Sequence, residues 1–575
     1  MIKNRTSILR KMFFSTAIIL LSCMVAHSAL NPPPDFDTTK IHDITSLPLS
    51  SKGWTNFEAM VRNGYEEARV IFVSSSGGND NTGQVYKISD ISFDANGMFQ
   101  SVGAVNAYKT IAGAYTQIRD GYPDILLLKR GDSWSERFTT ASIGPVKSGL
   151  SKTARHIIAS YGSSTTRPVL NTGIDGAIDS SGEGNIIISG IRFYCDGWES
   201  VDFFNTGKSI SAQGSGTVDQ LFEDCVWERY GEGVIQGGTT KGENIVIRRS
   251  MFMNGHVHDG YIYTKELTKF LFEENISYKP LDKSLTTGAI TGGRHLYLSG
   301  EVDHEEYAEL RGNIFYGGGR AIDVRCGGII TNNLISGDQV RLGGIGGSEG
   351  VIQGGAIRNN VFAEPYATNS SFVSIVLTNN ENTIINNNIW TDPTGMLAGS
   401  YAIQINGDVT TAIGKNIEIS DNIVYGYSAP GGLGRAFQVG ILATEKSNIV
   451  IRNNDLQMVT GAENIVRLYA PIEGVSLLGN RYYSTGAAST WWAITGDTIS
   501  DFADWIATTG ETGASNTRVA YPDPTRTIKT YNATLGGSAS TQEFMAETLN
   551  QSRQNWRPAY TADAVNNYIR EGFSK

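Results

Sequence analysis

Four of the chain's seven histidines, His256, His258, His295 and His304, crowd into one stretch of the sequence. Imidazole is the side chain whose ordinary pKa lies nearest neutrality, so such a cluster points first to proton transfer. Around it stand Tyr261, Tyr263 and Tyr297, the carboxylates Asp259 and Asp323, and the guanidinium groups of Arg294, Arg320, Arg325 and Arg341. A base, a phenol and arginines form the set needed to take a proton from beside a sugar carboxylate, hold the resulting dianion and protonate the leaving oxygen. Arginine suits the second task because its planar fork matches a carboxylate. This chemistry assigns His295, Tyr297, His258 and Arg325 to catalysis, and Arg294, Arg320, Arg341, Tyr261, Tyr263, Asp323 and Asp259 to substrate binding. Hydrolysis would instead need two carboxylates across a groove, for which Asp259, Asp323, Glu301 and Asp303 are available. A single exposed histidine or tyrosine is as often only a stacking residue, so the argument rests on the set. His256 and His258 would share one face of an extended segment, yet no thiol or His-Glu-x-x-His context accompanies them, and the identity of any metal stays open. Gly317-Gly318-Gly319 and Gly343-Gly344 lack the lysine and serine of a phosphate loop and read as corners.

Something must bring these residues to one face. Alternation predicts that Ile262, Leu296, Ile322 and Val340 stack inward on successive strands. Tyr261, His295, Ala321 and Gln339 would then form one outward row, and Tyr263, Tyr297, Asp323 and Arg341 the next. Arg294, Arg320, Arg325, His258 and Asp259 would rim the groove. The strands come from a repeat, N-I-x-I-x-x-N-x-F, clearest at Asn244 to Phe252, Asn416 to Asn422 and Asn448 to Asn454. Its register defines a column: Ile191, Cys225, Ser250, Asn275, Asn313, Asn333, Asn360, Asn388, Asn422, Asn454 and Asn480. Steps of 20 to 38 residues are the period of a solenoid with loop insertions. The I-x-I pairs are strands with one face inside. The column asparagines are expected to take the left-handed backbone of a tight corner and to hydrogen-bond from coil to coil.

This grammar resembles the right-handed parallel β-helix proteins, the pectate-lyase-like superfamily, over roughly residues 70 to 500. The resemblance implies an all-β, single-stranded parallel β-helix with an N-terminal helix cap, and it brings lyases, hydrolases, epimerases and adhesins into view alike. His258-Asp259, followed by Arg294 through Val302, is similar to the β-helical mannuronan C5-epimerases, although Val257 stands at their motif's proline and its leading aspartate is missing. The paired-aspartate and Gly-His-Gly motifs of polygalacturonases and the Trp-Ile-Asp-His signature of pectate lyases are absent. The reading that best uses the residues is a lyase of an acidic, uronate-containing polysaccharide. The alternatives are a glycoside hydrolase, a C5-epimerase and a non-catalytic glycan-binding surface protein.

Lys3, Arg5, Arg10 and Lys11 precede the apolar run Met12 to Val25 and the small residues Ala26-His27-Ser28, which reads as a signal peptide over 1–29 and an exported, secreted or periplasmic protein. Cys23 loosely resembles a lipoprotein site. Taking those four from the 47 basic residues leaves 43 against 57 acids, a net charge of −14, so nucleic acid is an unsuitable partner. An acidic protein acting on an acidic polymer calls for a bridging cation, such as calcium, or a local arginine patch. A monomer without a membrane span is expected. Residues 30–69 read as a linker or strap and 70–510 as the β-helix, with a helix over Tyr108 to Ile118 plugging its open end. A C-terminal extension follows over 511–575. It has two short helices, one opening at the capping pattern Ser540 to Glu543 and running to about Gln554, the other over Thr561 to Arg570. Cys195, Cys225 and Cys326 read as buried thiols.

Overall fold

The computed structural model describes residues 47–198, 207–214, 216–236, 242–255, 260–265, 269–283, 290–298, 308–318, 320–325, 327–336, 340–343, 352–364, 373–391, 401–406, 413–427, 435–440, 445–458 and 464–574. The signal-peptide stretch, Cys23, Cys326, His256, His258, Asp259, Glu301, Asp303 and His304 lie outside the described residues. Three strands per turn wind into a right-handed parallel β-helix with three walls. The first wall gathers the I-x-I strands, for example Glu243–Arg248, Phe270–Glu273 and Ala308–Arg311. A second, 13-stranded wall and a third, 12-stranded wall complete each coil. Ile245 and Ile247 are fully buried inside, where they join one continuous core running the length of the solenoid.

First-wall strands pass to the second wall through a two-residue corner, as at Asn332-Asn333 between Gly328–Thr331 and Leu334–Ser336. The two positions divide the work, which corrects one expectation. The left-handed backbone belongs to the first, at Arg249, Glu274, Asn332, Asn359, Asn387, Asp421 and Asn453, with φ between 47° and 59°. The column residue is the second position, and it turns inward because the corner has already been made. From Asn313 onward each column asparagine offers its Oδ1 to the backbone N–H and the Nδ2 of the preceding coil, and Asn275 accepts the Ser250 N–H. Asn333 donates both to Asn360 at 2.9 and 3.0 Å, and Asn360 donates both to Asn388 at 3.0 Å. The remaining Nδ2 proton goes to a backbone carbonyl, Ile330 for Asn360, so each amide is fully satisfied. Every member of the run Asn275 to Asn480 is buried. Asn480 donates to the buried carboxylate of Glu511, which also accepts from Tyr482 Oη and Trp505 Nε1. Asn360→Leu is expected to cost about 1–3 kcal/mol in chemical denaturation, because it strands the two donors of Asn333.

Both ends of the chain cover the solenoid. Before the first wall, Leu47, Phe57, Met60, Val61 and Tyr65 pack on outward residues of that wall, including Ile157, Ile187, Leu221, Val246 and Leu271. The opening is plugged by a helix over Ile111–Tyr115, shorter than the expected Tyr108 to Ile118. Tyr108 is held in a bridge to Val73, and Thr110 caps the helix by accepting from Gly113 N. At the far end a helix over Phe502–Thr509 buries Trp505 beside Tyr482 and Trp492. Three further helices, Ile528–Thr534, Thr541–Thr548 and Ala562–Gly572, lie on the second wall, their Phe544, Val565 and Ile569 against Met251, Ile276, Ile314 and Leu334. Two helices are expected from the sequence there. The extra one is rich in β-branched residues and is nucleated by Thr527, which caps Thr530 N. Ser540 caps the next as expected, but that helix ends at Thr548. Cys195 and Cys225 are free, buried thiols, and burial raises them to about 11 and about 12, away from reactivity.

His156, in the first wall beneath the plug, is fully buried, with Nδ1 against the Asp124 carbonyl at 2.7 Å. Burial pushes it down to about 4. The unfolded chain, with an ordinary histidine near pH 6.5, therefore binds a proton that the folded chain refuses, and stability falls as pH drops from about 6.5 towards 4. The loss should approach about 3 kcal/mol. Denaturation at pH 7.5 and pH 4.5 checks it: the difference should shrink in His156→Gln, while the buried Glu309 and Asp455, whose carboxyls burial raises, contribute the opposite slope in both proteins.

Candidate functional site

Of the three walls, the first is covered over its early coils by the N-terminal segment and the second by the C-terminal helices. Neither apolar cluster includes a residue of the third wall. That wall carries the strands Ile262–Lys265, Arg294–Leu298, Arg320–Val324 and Val340–Gly343. Their pairing is the one expected from alternation. Ile262, Leu296, Ile322 and Val340 stack in one row and are all fully buried. Tyr263, Tyr297, Asp323 and Arg341 stack in the adjacent row.

The rings of Tyr263 and Tyr297 lie 5.3 Å apart and 16° from parallel. The Arg325 and Arg294 guanidinium groups lie 4.5 and 5.0 Å from the Tyr297 ring centroid. Arg294 Nε also reaches Asp323 Oδ2 at 3.0 Å. Asp323 is 3% exposed, so its carboxylate serves to hold Arg294 rather than standing open as a second groove acid. The result is a phenol between a stacking partner and two cations, on the wall outside both terminal apolar clusters of the described residues. Strand register puts Arg320 beside Arg294 and Arg341 beside Asp323 on neighbouring coils; their side chains, like all of His258 and Asp259, lie outside the described residues.

Two expected members of the outward face are inside. His295 is fully buried, its Nδ1 2.6 Å from Ser277 Oγ and its ring edge-on to Phe315 at 5.4 Å. Tyr261 is 2% exposed, with its hydroxyl donating to the Tyr278 carbonyl at 2.9 Å and accepting from Gly255 N at 3.0 Å. Both sit where the chain enters the third wall, one residue before the inward Ile262 and Leu296. Alternation does not hold there: Tyr261 precedes its strand, and the pairings Arg294 to Arg320 and Leu296 to Ile322 bracket His295 while leaving it out of the ladder. A polar side chain can turn in at such a place because Ser277 across the core satisfies it.

The ion pair of Arg294 with Asp323 was not anticipated, although the register that brings them together was legible. The sequence also gave no notice of an open cleft of about 690 Å³ at the corner between the first and second walls, lined by Asp421, Asn453, Asp455, Gly479, Arg481 and Thr512 among others. Its only sequence signal is the replacement of side-chain-bearing corner residues by Gly479 and Gly513. Among the described residues no group of three or more His, Cys, Asp or Glu comes together to hold a metal, and no helix is long and apolar enough to cross a membrane.

No protein-family model matches the sequence, and no curated protein matches it. Similar solved structures are all remote. A mannuronic acid specific polysaccharide family 6 lyase from human gut microbiota is 13% identical over 79% of this chain and 95% of its own, with a TM-score of 0.43. The tailspike protein of E. coli bacteriophage HK620, as a double mutant in complex with pentasaccharide, is 12% identical over 68% and 73% at a TM-score of 0.38. The A-module of the Azotobacter vinelandii mannuronan C-5 epimerase AlgE6 is 12% identical over 69% and 91% at 0.34.

Proposed function

We propose that this chain is an exported polysaccharide lyase that cleaves an acidic, uronate-containing polymer by β-elimination on its third wall. The observation that carries the reading is the Tyr263 and Tyr297 stack flanked by Arg294 and Arg325 on the wall that the two terminal apolar clusters of the described residues do not reach. In this reading Arg325 neutralises the uronate carboxylate, which stabilises the negative charge that spreads onto it when the proton at C5 is removed. Tyr297 moves protons: the C5–H bond breaks, C4=C5 forms, the C4–O bond to the leaving sugar breaks, and that oxygen gains a proton. Tyr263 supplies a flat face for a pyranose ring, and Arg294, fixed by Asp323, sets the edge of the site. His258, Asp259, Arg320 and Arg341 remain candidates for the rim. In this reading His295, buried against Ser277 and Phe315, supports the strand that carries Tyr297 and takes no part in proton transfer.

A screen of uronate-containing and neutral glycans tests this, with ultraviolet absorbance and reducing ends read together. Elimination gives both new absorbance and new ends. Reducing ends alone would replace the lyase with a hydrolase, and binding without cleavage would leave a glycan-binding protein.

A further inference from the structure

The cleft at the other corner of the solenoid is built by a change in one repeated position. Along the corner that carries the left-handed residue, Asn387, Asp421 and Asn453 bear side chains, and the next two coils carry Gly479 and Gly513, with φ of 64° and 72°. The coils stay in register there: Asp421 N donates to the Arg452 carbonyl, Asn453 N to Leu478 and Gly479 N to Thr512. Loss of the side chain at two consecutive coils therefore leaves space rather than a slipped strand. A Cβ on Gly479 would come within 2.8 Å of Asn453 Oδ1, so the glycine is also what lets that amide lie at the cleft's edge. The opening of about 690 Å³ falls in the range of small-molecule sites.

Its lining is mixed in a way that suits one class of ligand. Asp421 and Asn453 are exposed on one side, Thr512 and Ser515 present hydroxyls on the other, and Ile423 and Leu478 supply part-buried apolar surface between them. Arg481 binds Asp455 through Nε, and Tyr521 Oη donates to the other Asp455 oxygen at 2.7 Å. That ion pair matches the arginine's charge within the protein, leaving Asp421 as the excess charge of the lining, which repels polyanions. Donors, acceptors and apolar patches without excess positive charge fit hydroxyl groups and the C–H faces of uncharged sugar rings.

We infer that this cleft is a second saccharide site, separate from the third wall and suited to a neutral oligosaccharide. It does not depend on the lyase reading, since none of its residues belongs to that wall. Isothermal titration with gluco-, manno-, galacto- and xylo-tetraose, and with tetragalacturonate as the anionic comparison, tests it on the full chain. At least one neutral tetrasaccharide should bind in the micromolar to millimolar range, and any uronate binding, which the third wall can supply, should be insensitive to filling this cleft. Thr512→Trp, which fills the cleft from an exposed position whose backbone contact is retained, should weaken the neutral binding at least 10-fold, and Asp421→Ala several-fold. Cleavage of any soluble substrate on the third wall should be unchanged in Thr512→Trp. The inference falls if no neutral tetrasaccharide binds the wild type, if Thr512→Trp weakens uronate binding as much as neutral binding, or if the neutral binding survives Thr512→Trp with the fold intact by circular dichroism. Loss of the neutral binding in a Tyr263→Ala, Tyr297→Ala double variant would also overturn it, by moving the ligand to the third wall.

Discussion

Tyr297→Phe should lower turnover by about 100- to 10,000-fold, the usual cost of removing a positioned acid or base. The substitution removes one oxygen and keeps the ring, so the stack on Tyr263 and the contacts to Arg294 and Arg325 survive. The loss should therefore appear in kcat, with KM and the thermal midpoint almost unmoved. Arg325→Ala is expected to do the reverse in part, raising KM for acidic substrates more than for esterified ones, because it removes charge that the bound carboxylate already meets. His295→Ala should be distinguishable from both. Its ring is in the core, so the substitution opens a cavity, strands Ser277 and lowers stability before it touches chemistry. Full activity of Tyr297→Phe on a polymer that the wild type cleaves would place the proton transfer elsewhere.

Arg553→Met should destabilise the protein by about 3–5 kcal/mol, because it breaks a buried ion pair and leaves one partner uncompensated. Arg553 is 2% exposed and Glu223 fully buried. The guanidinium binds the Glu223 carboxylate, donates to the Thr55 carbonyl at 2.9 Å and lies over Phe57 at 4.6 Å. Glu223 also accepts from Thr55 N and lies 3.5 Å from Arg248 Nη1. Although burial alone would push that carboxyl up, Arg553 and Arg248 pull it net below its ordinary value, so the charged pair is the state that folds. Next to it, Arg249 lies against both rings of the Trp54 and Trp556 pair, at 4.6 and 4.5 Å from their centroids. The two ends of the chain are thus fastened to the same coils and to each other. Adding Glu223→Gln should recover part of the loss by removing the stranded charge, and unfolding in denaturant measures both. If Arg553→Met costs under about 1 kcal/mol, the pair behaves like an exposed one and the fastening is wrong.

The column and the pairing of the third wall could be read from residues alone because both follow from local rules, a fixed period and an inward apolar residue at every second position. The corner was read one position late. In five of the eleven coils the doublet is Asn-Asn or Asp-Asn, as at Asn359-Asn360 and Asp421-Asn422, and by residue type either member suits the left-handed backbone. His295 and Tyr261 depart from alternation because they stand where the chain enters the wall, outside the paired ladder, and there the backbone is still turning. The clasp of Arg553 on Glu223 spans 330 positions, and nothing in either neighbourhood names its partner. The covering of the other two walls by described terminal segments has the same long-range origin.

The bonds from one column side chain to the next run one way, each coil donating a backbone N–H and one Nδ2 proton forwards while the other Nδ2 proton returns to a carbonyl of the coil before, until Glu511 receives the last pair. A column with a direction has a fixed beginning and a fixed stop. A whole coil can be duplicated or deleted between Asn275 and Asn480 with every donor still meeting an acceptor, provided the new coil carries asparagine at that position. The same change made between Asn480 and Glu511 would leave a carboxylate facing the wrong neighbour. The length of the wall, and with it the span available to any ligand laid along it, is therefore open to recombination in the middle of the molecule and closed at its end.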